Sequence, residues 1–284
     1  PGLAYARTGP SVFLAYLLAG VVAVPALLSK AELATAMPKA GGTYYYIDRS
    51  MGAAMGTLGG LAAWFSLSFK SAFALVGMGA FTALFFPSLT GFQLKLVAAG
   101  FCVFFTLVNL RGASHAGRFQ VIFVLCLLLI LVAYVAAGAS SVREARFIPF
   151  TTAGFSGLLA TAGLVFVSYG GLTKVASIAE EVRDPGRNIP LGMFLSFLVV
   201  TTLYVLVTIV TVGVVGSPEL ATTLTPINLG AKALFGPVGV TCVALAAVLA
   251  FVSTANAGIL ASSRVPLAMS RDQLLPSLFN KVDE

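Results

Sequence analysis

Two adjacent glycines interrupt a long apolar stretch near the middle of the chain. Gly170 and Gly171 follow Ser168 and Tyr169, and the next polar residue is Thr173, so hydroxyl groups and backbone without side chains lie within six residues. In hydrocarbon an unpaired backbone amide costs several kcal/mol, and a gap in a helix persists only where another group bonds the freed donors and acceptors. Such a gap offers backbone groups, and the positive end of a half-helix, to an anionic or polar solute.

We therefore take these residues and their aromatic neighbour as candidates for substrate binding. Glycine is also common in membrane helices at plain helix contacts, so the pair alone leaves a packing role open. The candidate substrate-binding residues are Phe166, Ser168, Tyr169, Gly170, Gly171 and Thr173.

A dense group of mixed charges follows the glycines. A solvated loop explains most groups of this kind, but this one directly follows the proposed half-helix, so an inner gate closed by ion pairs is the functional alternative. Arg271 is a further possible ion-pair partner at the same membrane face. The inner-gate candidates are Glu32, Glu180, Glu181, Arg183, Arg187 and Arg264.

Two lysines lie within apolar spans. Lys70 is central in WFSLSFKSAFALVG, where an ammonium costs at least about 2.5 kcal/mol unless it snorkels, pairs or loses its proton. In the structural interpretation, Lys70 reaches water through a cavity. In the functional interpretation, it carries a proton or replaces a coupling cation. Lys174 precedes Glu181 by seven residues, about two helical turns, so we expect an ion pair between them or a snorkelling lysine.

The elements that position these residues are membrane-spanning helices. The chain is 58% hydrophobic and 10% charged, whereas a soluble domain carries roughly 25% charged residues. Residues 119–137 contain no charge and would cover about 28 Å as a helix, close to the thickness of the hydrocarbon core. The apolar runs are continuous and do not alternate as barrel strands do. The sequence predicts an all-α, polytopic integral membrane protein.

We predict a single transmembrane domain over residues 1–284. Residues 1–8 are expected to be the tail of an earlier span, residues 226–235 a short surface helix, and residues 263–284 an amphipathic cytoplasmic tail. Alternate sides carry ten and five Lys and Arg residues, and the richer side is cytoplasmic by the positive-inside rule. The complete spans are predicted at about 11–36, 55–85, 92–110, 118–138, 153–180, 190–214 and 237–262.

Other chemistry has little support. The three cysteines lie in apolar spans at unrelated spacings, which is no pattern for a metal or a disulfide. His115 is the only histidine and falls in a predicted cytoplasmic loop. The net charge of +7 comes from basic residues placed singly in short loops, which membrane topology explains better than nucleic-acid binding. We expect no enzyme, no metal and no cofactor beyond a coupling ion.

The stretch FVSYGGLTKVASIAEEVRDPGRNIP, residues 166–190, resembles the sixth-helix signature of the amino acid–polyamine–organocation permeases. Three further segments agree with that family in its order: KAELATAMPKAGGTYYY at 30–46, NLRGASHAGRFQ at 109–120 and NAGILASSRVPLAMSRDQLLP at 256–276. Leu172 stands where the family commonly has an aromatic gate residue, and Thr173 where an acidic residue is frequent. The matching pieces of the signature are Gly171, Glu180–Glu181, Asp184–Pro185 and Arg187–Pro190.

The resemblance implies an inverted five-helix-repeat transporter fold with discontinuous helices. Members usually have about twelve spans, and Pro1–Gly2 matches only the end of their glycine-rich first helix, so we expect a fragment that lacks most of the first helix and the C-terminal helices. In sodium-coupled relatives of this fold, eighth-helix hydroxyls help to bind the ion. Ser253 and Thr254 therefore join Lys70 as coupling-ion candidates, although such hydroxyls often bond back to their own helix.

The function implied is secondary active transport of an amino acid or related amine by alternating access. It would be coupled to protons or sodium and located in the plasma (inner) membrane. The departures at Leu172 and Thr173 leave a second hypothesis open, a transporter-like membrane sensor that binds an amino acid without translocating it.

Overall fold

The computed structural model describes residues 1–86, 88–110, 113–223 and 225–280. Within them the regular structure is helical, and seven helical stretches are long and apolar enough to cross a membrane. This confirms the prediction of an all-α, multi-pass membrane protein. The seven stretches are Gly2–Ala36, Ala53–Met78, Gly91–Leu110, Gln120–Ala139, Gly154–Glu181, Pro185–Val214 and Pro226–Arg271.

The helices follow one another with short connections. A 3-10 turn, Gly9–Ser11, separates the first two helices, and further 3-10 segments cover Glu144–Phe147, Val167–Gly171, Lys174–Glu181 and Ser277–Asn280. The α-helices are α1 (Gly2–Thr8), α2 (Val12–Ala36), α3 (Thr43–Met51), α4 (Ala53–Phe85), α5 (Gly91–Leu110), α6 (Ala113–Ala139), α7 (Gly154–Phe166), α8 (Pro185–Val214), α9 (Ser217–Thr222) and α10 (Pro226–Arg271).

The last long helix covers regions that the sequence analysis treats separately. Residues 226–235 are helical, and Gly236 then interrupts the helix with φ 60° and ψ −143°, a conformation that residues with a side chain rarely adopt. Beyond Gly236 the helix continues past Ser262 to Arg271. Part of the predicted amphipathic tail is therefore a continuation of α10, and residues 281–284 lie outside the described residues.

Contacts divide the chain into two compact units. The first unit comprises Pro1–Ala26, Leu125–Gly171 and Phe194–Ala247, and the second comprises Leu27–Val124, Leu172–Met193 and Val248–Glu284. The first unit has a core of Tyr134 and branched aliphatic residues of α8 and α10. The Tyr134 hydroxyl is satisfied there by the Thr211 hydroxyl at 3.0 Å, as a buried polar group requires.

In the second unit, α4 packs against the later part of α10. Ala74, Leu75 and Met78 form a buried cluster with Val252 and Ala255. Small residues at the contact allow close approach, which is the usual basis of helix packing in membranes. The contacts run in opposite directions along the two helices, which are therefore antiparallel: Gly77 lies against Phe251, Ser71 against Gly258, and Gly60 against Met269.

Candidate functional site

The span around the glycine pair is interrupted. The α-helix α7 ends at Phe166, and Val167–Gly171 continues as a 3-10 segment. After the turn at Leu172 and Thr173, a second 3-10 segment covers Lys174–Glu181, with Ile178 outside helical geometry at φ −114° and ψ 20°. A change from i−4 to i−3 bonding leaves backbone groups at the junctions for other partners. The interruption thus begins at Val167, three residues before Gly170.

Tyr169 connects the first 3-10 segment to the body of the first unit. Its side chain is buried, and its hydroxyl donates a hydrogen bond to the backbone carbonyl of Tyr16 at 2.9 Å. Its ring meets that of Tyr204 edge-on, with centroids 5.5 Å apart, and Tyr204 meets Tyr16 in the same way at 5.4 Å. A side chain at Gly20 would begin 3.1 Å from the Tyr169 hydroxyl. Tyr169 is therefore a packing residue of this segment, since its polar atom already has a partner.

The exposed side of the same segment consists of Ser168 and Gly171. Residues three apart lie one above the other in a 3-10 helix, and both of these are exposed, as is Phe166. No atom lies within 4 Å of the position that a Gly171 side chain would occupy. Ser168 and Gly171 thus present a hydroxyl and uncovered backbone together, within the first unit. Thr173 belongs to the second unit and is half-buried.

In the second unit, the loop after α2 covers the second 3-10 segment. The backbone amide of Gly41 donates to the Ser177 carbonyl at 3.3 Å, and that of Ala40 donates to Glu180 Oε2 at 3.2 Å. Gly42 has φ 50°, and a side chain there would begin 3.1 Å from the backbone of Ser177. The backbone conformation at Gly42 strains any residue with a side chain, and the close approach to Ser177 adds to the preference for glycine.

Two ion pairs join the same 3-10 segment to α10 within the second unit. Glu180 pairs with Arg271 at 3.0 Å, and Glu181 pairs with Arg264. The side chains of Arg264 and Glu181 are 23% and 31% exposed, whereas those of Arg271 and Glu180 are 43% and 37% exposed. The Arg264–Glu181 pair is therefore better shielded from solvent. The structure therefore brings together three of the inner-gate candidates, and Arg271 with them.

The other inner-gate candidates take no part in these pairs. Glu32, Arg183 and Arg187 are exposed, and the ion pairs of the described residues do not include them. The Arg183 carbonyl accepts a hydrogen bond from the Asn188 amide at 2.6 Å, which closes the turn before α8.

Of the two expectations for Lys174, the ion pair with Glu181 is wrong, because Glu181 pairs with Arg264 and the ion pairs of the described residues do not include Lys174. The prediction assumed α-helical geometry, in which residues seven apart share a face. In a 3-10 helix each residue turns about 120°, so residues seven apart point about 120° away from each other.

The coupling-ion candidates occupy different environments in the second unit. Lys70 lies on α4 and is half-buried. Ser253 is buried and its hydroxyl accepts a hydrogen bond from the Gln120 amide, whereas the neighbouring Thr254 is exposed. The two hydroxyls of α10 therefore do not face one common point.

Sequence reasoning missed the residues that support the interruption. Tyr16, whose carbonyl accepts the hydrogen bond, is 153 positions from Tyr169 in the chain, and Gly42 is 135 positions from Ser177. No local spacing in the sequence connects the members of either pair. The paired glycines of KAGGTYYY were the one available signal, since adjacent glycines often allow backbone to approach closely.

Comparison with known proteins places the chain among permeases. The methylthioribose transporter of Bacillus subtilis is 28% identical over 96% of this chain and 62% of its own length. The branched-chain amino acid permease BcaP of Lactococcus lactis is 30% identical over 100% of this chain and 66% of its own length. The vacuolar cationic amino acid transporter 4 of Arabidopsis thaliana is 29% identical over 97% of this chain and 49% of its own length. The chain thus spans less than two thirds of the length of these relatives.

A sequence model of the family described as "Amino acid permease" matches residues 2–284, which is nearly the whole chain. The matched residues include the interrupted span, the loop of Ala40, Gly41 and Gly42 after α2 (the glycine loop), and both arginines of α10. This protein belongs to the amino acid permease family.

Proposed function

We propose that the protein is a secondary active transporter of an amino acid or related amine. It works by alternating access in the plasma membrane, coupled to a proton or sodium gradient. The observation that carries this proposal is the interrupted span, in which Ser168 and Gly171 expose a hydroxyl and backbone on one side of a 3-10 turn. The relatives, which are named as transporters and permeases, support the same function.

The first 3-10 segment has the groups needed to bind a polar solute. The Ser168 hydroxyl and the backbone at Gly171 are exposed, and groups of this kind bind carboxylate and ammonium groups without adding a fixed charge to the membrane interior. Tyr169 keeps the segment in place, because its hydroxyl and ring both have protein partners. The solute therefore meets the opposite, exposed side.

The ion pairs of the second 3-10 segment supply a gate that opens at modest cost. Pairs that are partly exposed contribute roughly 0.2–1 kcal/mol each, since water competes for both partners. Breaking the Glu180–Arg271 and Glu181–Arg264 pairs therefore costs at most about 2 kcal/mol together, a free energy that substrate binding can supply. Lys70, Ser253 and Thr254 remain the candidates for the coupling ion.

Uptake of radiolabelled amino acids into proteoliposomes tests the proposal. The full-length protein that the gene encodes is reconstituted into proteoliposomes, and uptake is measured with and without imposed proton and sodium gradients. We expect uptake that follows one gradient and is abolished by Gly171→Leu. Gly163→Leu is the matched control, because Gly163 is also exposed with no atom within 4 Å of its side-chain position, but lies in the regular helix α7.

Two outcomes would contradict the proposal. Equal uptake by the Gly171→Leu and Gly163→Leu variants would show that the 3-10 turn is not the site. Saturable amino acid binding without uptake, under every gradient, would show that the protein binds its ligand without translocating it.

A further inference from the structure

The residue that directly follows α10 binds α3. Asp272 accepts a hydrogen bond on each carboxylate oxygen: the Tyr44 hydroxyl donates to Oδ2 at 2.8 Å, and Arg49 Nη2 donates to Oδ1 at 2.8 Å. Both donors belong to α3. The preceding residue, Arg271, pairs with Glu180 of the second 3-10 segment. Two consecutive residues at the end of α10 therefore bind two different elements of the second unit.

The two donors on α3 are themselves held in place by packing. Tyr44 is fully buried, in a cluster with Ala268 and other apolar residues of α10. The guanidinium carbon of Arg49 lies 4.9 Å from the centre of the Tyr45 ring, within the range of a cation–π contact. The positions of both donors are therefore set before they meet the carboxylate of Asp272.

The backbone connects the position of Asp272 to that of Arg271. The Asp272 amide donates to the Ala268 carbonyl at 3.2 Å, which is the i−4 bond of an α-helix, so Asp272 prolongs the last turn of α10. Gln273 then has φ 62°, the left-handed conformation in which helices commonly end. A carboxylate bound to α3 therefore holds the turn of α10 from which the Arg271 side chain extends to Glu180.

The contact with α3 is harder to break than the Arg271–Glu180 pair beside it. The side chains of Arg271 and Glu180 are 43% and 37% exposed, so water can replace either partner. The Asp272 side chain is only 22% exposed, and loss of its contact would leave the buried Tyr44 hydroxyl unsatisfied. When the Arg271–Glu180 pair separates, the end of α10 therefore stays bound to α3.

We propose that Asp272 is a positioning residue of the inner gate. By binding Tyr44 and Arg49 it holds the last turn of α10, so that Arg271 meets Glu180 each time the gate closes. The inference rests on the proposed transport function and adds to it the part that resets the gate after substrate is released. Without this carboxylate the gate closes more slowly, which lowers the rate of the cycle and leaves substrate binding at the first 3-10 segment unchanged.

Uptake kinetics of the full-length protein in proteoliposomes test this role. Radiolabelled leucine, glutamate and lysine are offered to the wild type, Asp272→Asn, Arg271→Gln and the double variant, and each rate is divided by the number of sites found by equilibrium binding. Tyr44→Phe, which removes one donor and keeps the ring, takes the place of Asp272→Asn if that variant does not fold. Glu144→Gln is the control, because Glu144 is exposed and the ion pairs of the described residues do not include it.

Asp272→Asn should lower the maximal rate about 10-fold and change KM less than about twofold, because it weakens hydrogen bonds to a charged group away from the substrate. The double variant should be no slower than Arg271→Gln alone, since Asp272 has nothing left to position. Glu144→Gln should retain the wild-type rate. A double variant slowed by the product of the two single effects overturns the positioning role, as does an Asp272→Asn variant with an unchanged rate.

Chemical unfolding in detergent distinguishes failure of this inference from failure of the proposed function. Asp272 binds α3 and Glu180 binds Arg271, so a coupling between Asp272→Asn and Glu180→Gln must pass through Arg271. We expect the double variant to lose less than the sum of the two single losses in unfolding midpoint. Non-additive losses in a protein that takes up no substrate support the positioning of Arg271 and overturn transport. Additive losses with normal uptake overturn the positioning role and leave transport intact.

Discussion

The two 3-10 segments of the interrupted span are stabilised by different kinds of contact. Val167–Gly171 in the first unit depends on Tyr169, whose neutral hydroxyl binds a carbonyl while its ring packs among other tyrosines. Lys174–Glu181 in the second unit depends on backbone bonds from the glycine loop and on two ion pairs to α10. One segment is fastened by neutral, buried contacts and the other by charged, partly exposed ones.

This difference indicates which segment is fixed and which is releasable. A buried neutral hydrogen bond has no water to replace it when it breaks, so its loss leaves unsatisfied groups. A partly exposed ion pair separates at small cost, because water solvates both charges. We therefore expect the first segment to keep its conformation during the transport cycle and the second to change its contacts.

The largest expected effect is at the glycine loop. Gly42→Ala should lower the free energy of unfolding by about 2–4 kcal/mol, because a side chain at φ 50° is strained and also approaches the Ser177 backbone to 3.1 Å. Gly52→Ala is the control: Gly52 has φ 84° but no atom within 4 Å, so it should cost only the strain, about 1–2 kcal/mol. Chemical unfolding in detergent measures both. Equal losses would show that contact with Ser177 contributes nothing.

The ion pairs should differ from one another. Arg264→Gln should cost about 1–2 kcal/mol, because it leaves the better shielded Glu181 without its charged partner. Arg271→Gln should cost less than about 1 kcal/mol, since the Arg271–Glu180 pair is more exposed. Double-mutant cycles with Glu181→Gln and Glu180→Gln give the two coupling energies. A larger coupling for the exposed pair would contradict the role assigned here to shielding.

Removal of the Tyr169 hydroxyl tests how much the neutral hydrogen bond contributes to the first 3-10 segment. Tyr169→Phe should cost about 1 kcal/mol, since it deletes the bond to the Tyr16 carbonyl and keeps the ring contacts. Tyr204→Phe is the matched control within the same ring cluster and should cost less. Thermal unfolding at low and high salt sharpens the test, because the Tyr169→Phe loss should not depend on salt, whereas that of Arg271→Gln should shrink.

The smallest stability effect is expected at the exposed face of the first segment. Gly171→Ala should change the free energy of unfolding by less than about 0.5 kcal/mol, because the new methyl group meets no atom within 4 Å. The unfolding midpoint checks this. A loss as large as that of Gly42→Ala would mean that this face is packed and unable to receive a solute.

Part of the site was predictable from residue types. The glycine pair and its hydroxyl neighbours lie in the first 3-10 segment or directly after it, so residue types indicated the region where the span leaves α-helical geometry. The starting point at Val167 was not predictable, since Val167 is an ordinary apolar residue. The error at Lys174 and Glu181 has a related cause: a spacing of seven predicts a shared face only if the helix type is known.

The amino-acid sequence alone determined that this protein spans a membrane repeatedly as helices, and it offered an interruption near Gly170 and Gly171 as one of two interpretations of the glycine pair. Apolar length is a local property, and it acts whatever the rest of the chain does. Only the tertiary structure decided that Tyr169 binds Tyr16, that Glu181 binds Arg264, and that Gly42 approaches the backbone of Ser177. These contacts join residues far apart in the chain, and they depend on helix packing, which has no local signal in the sequence.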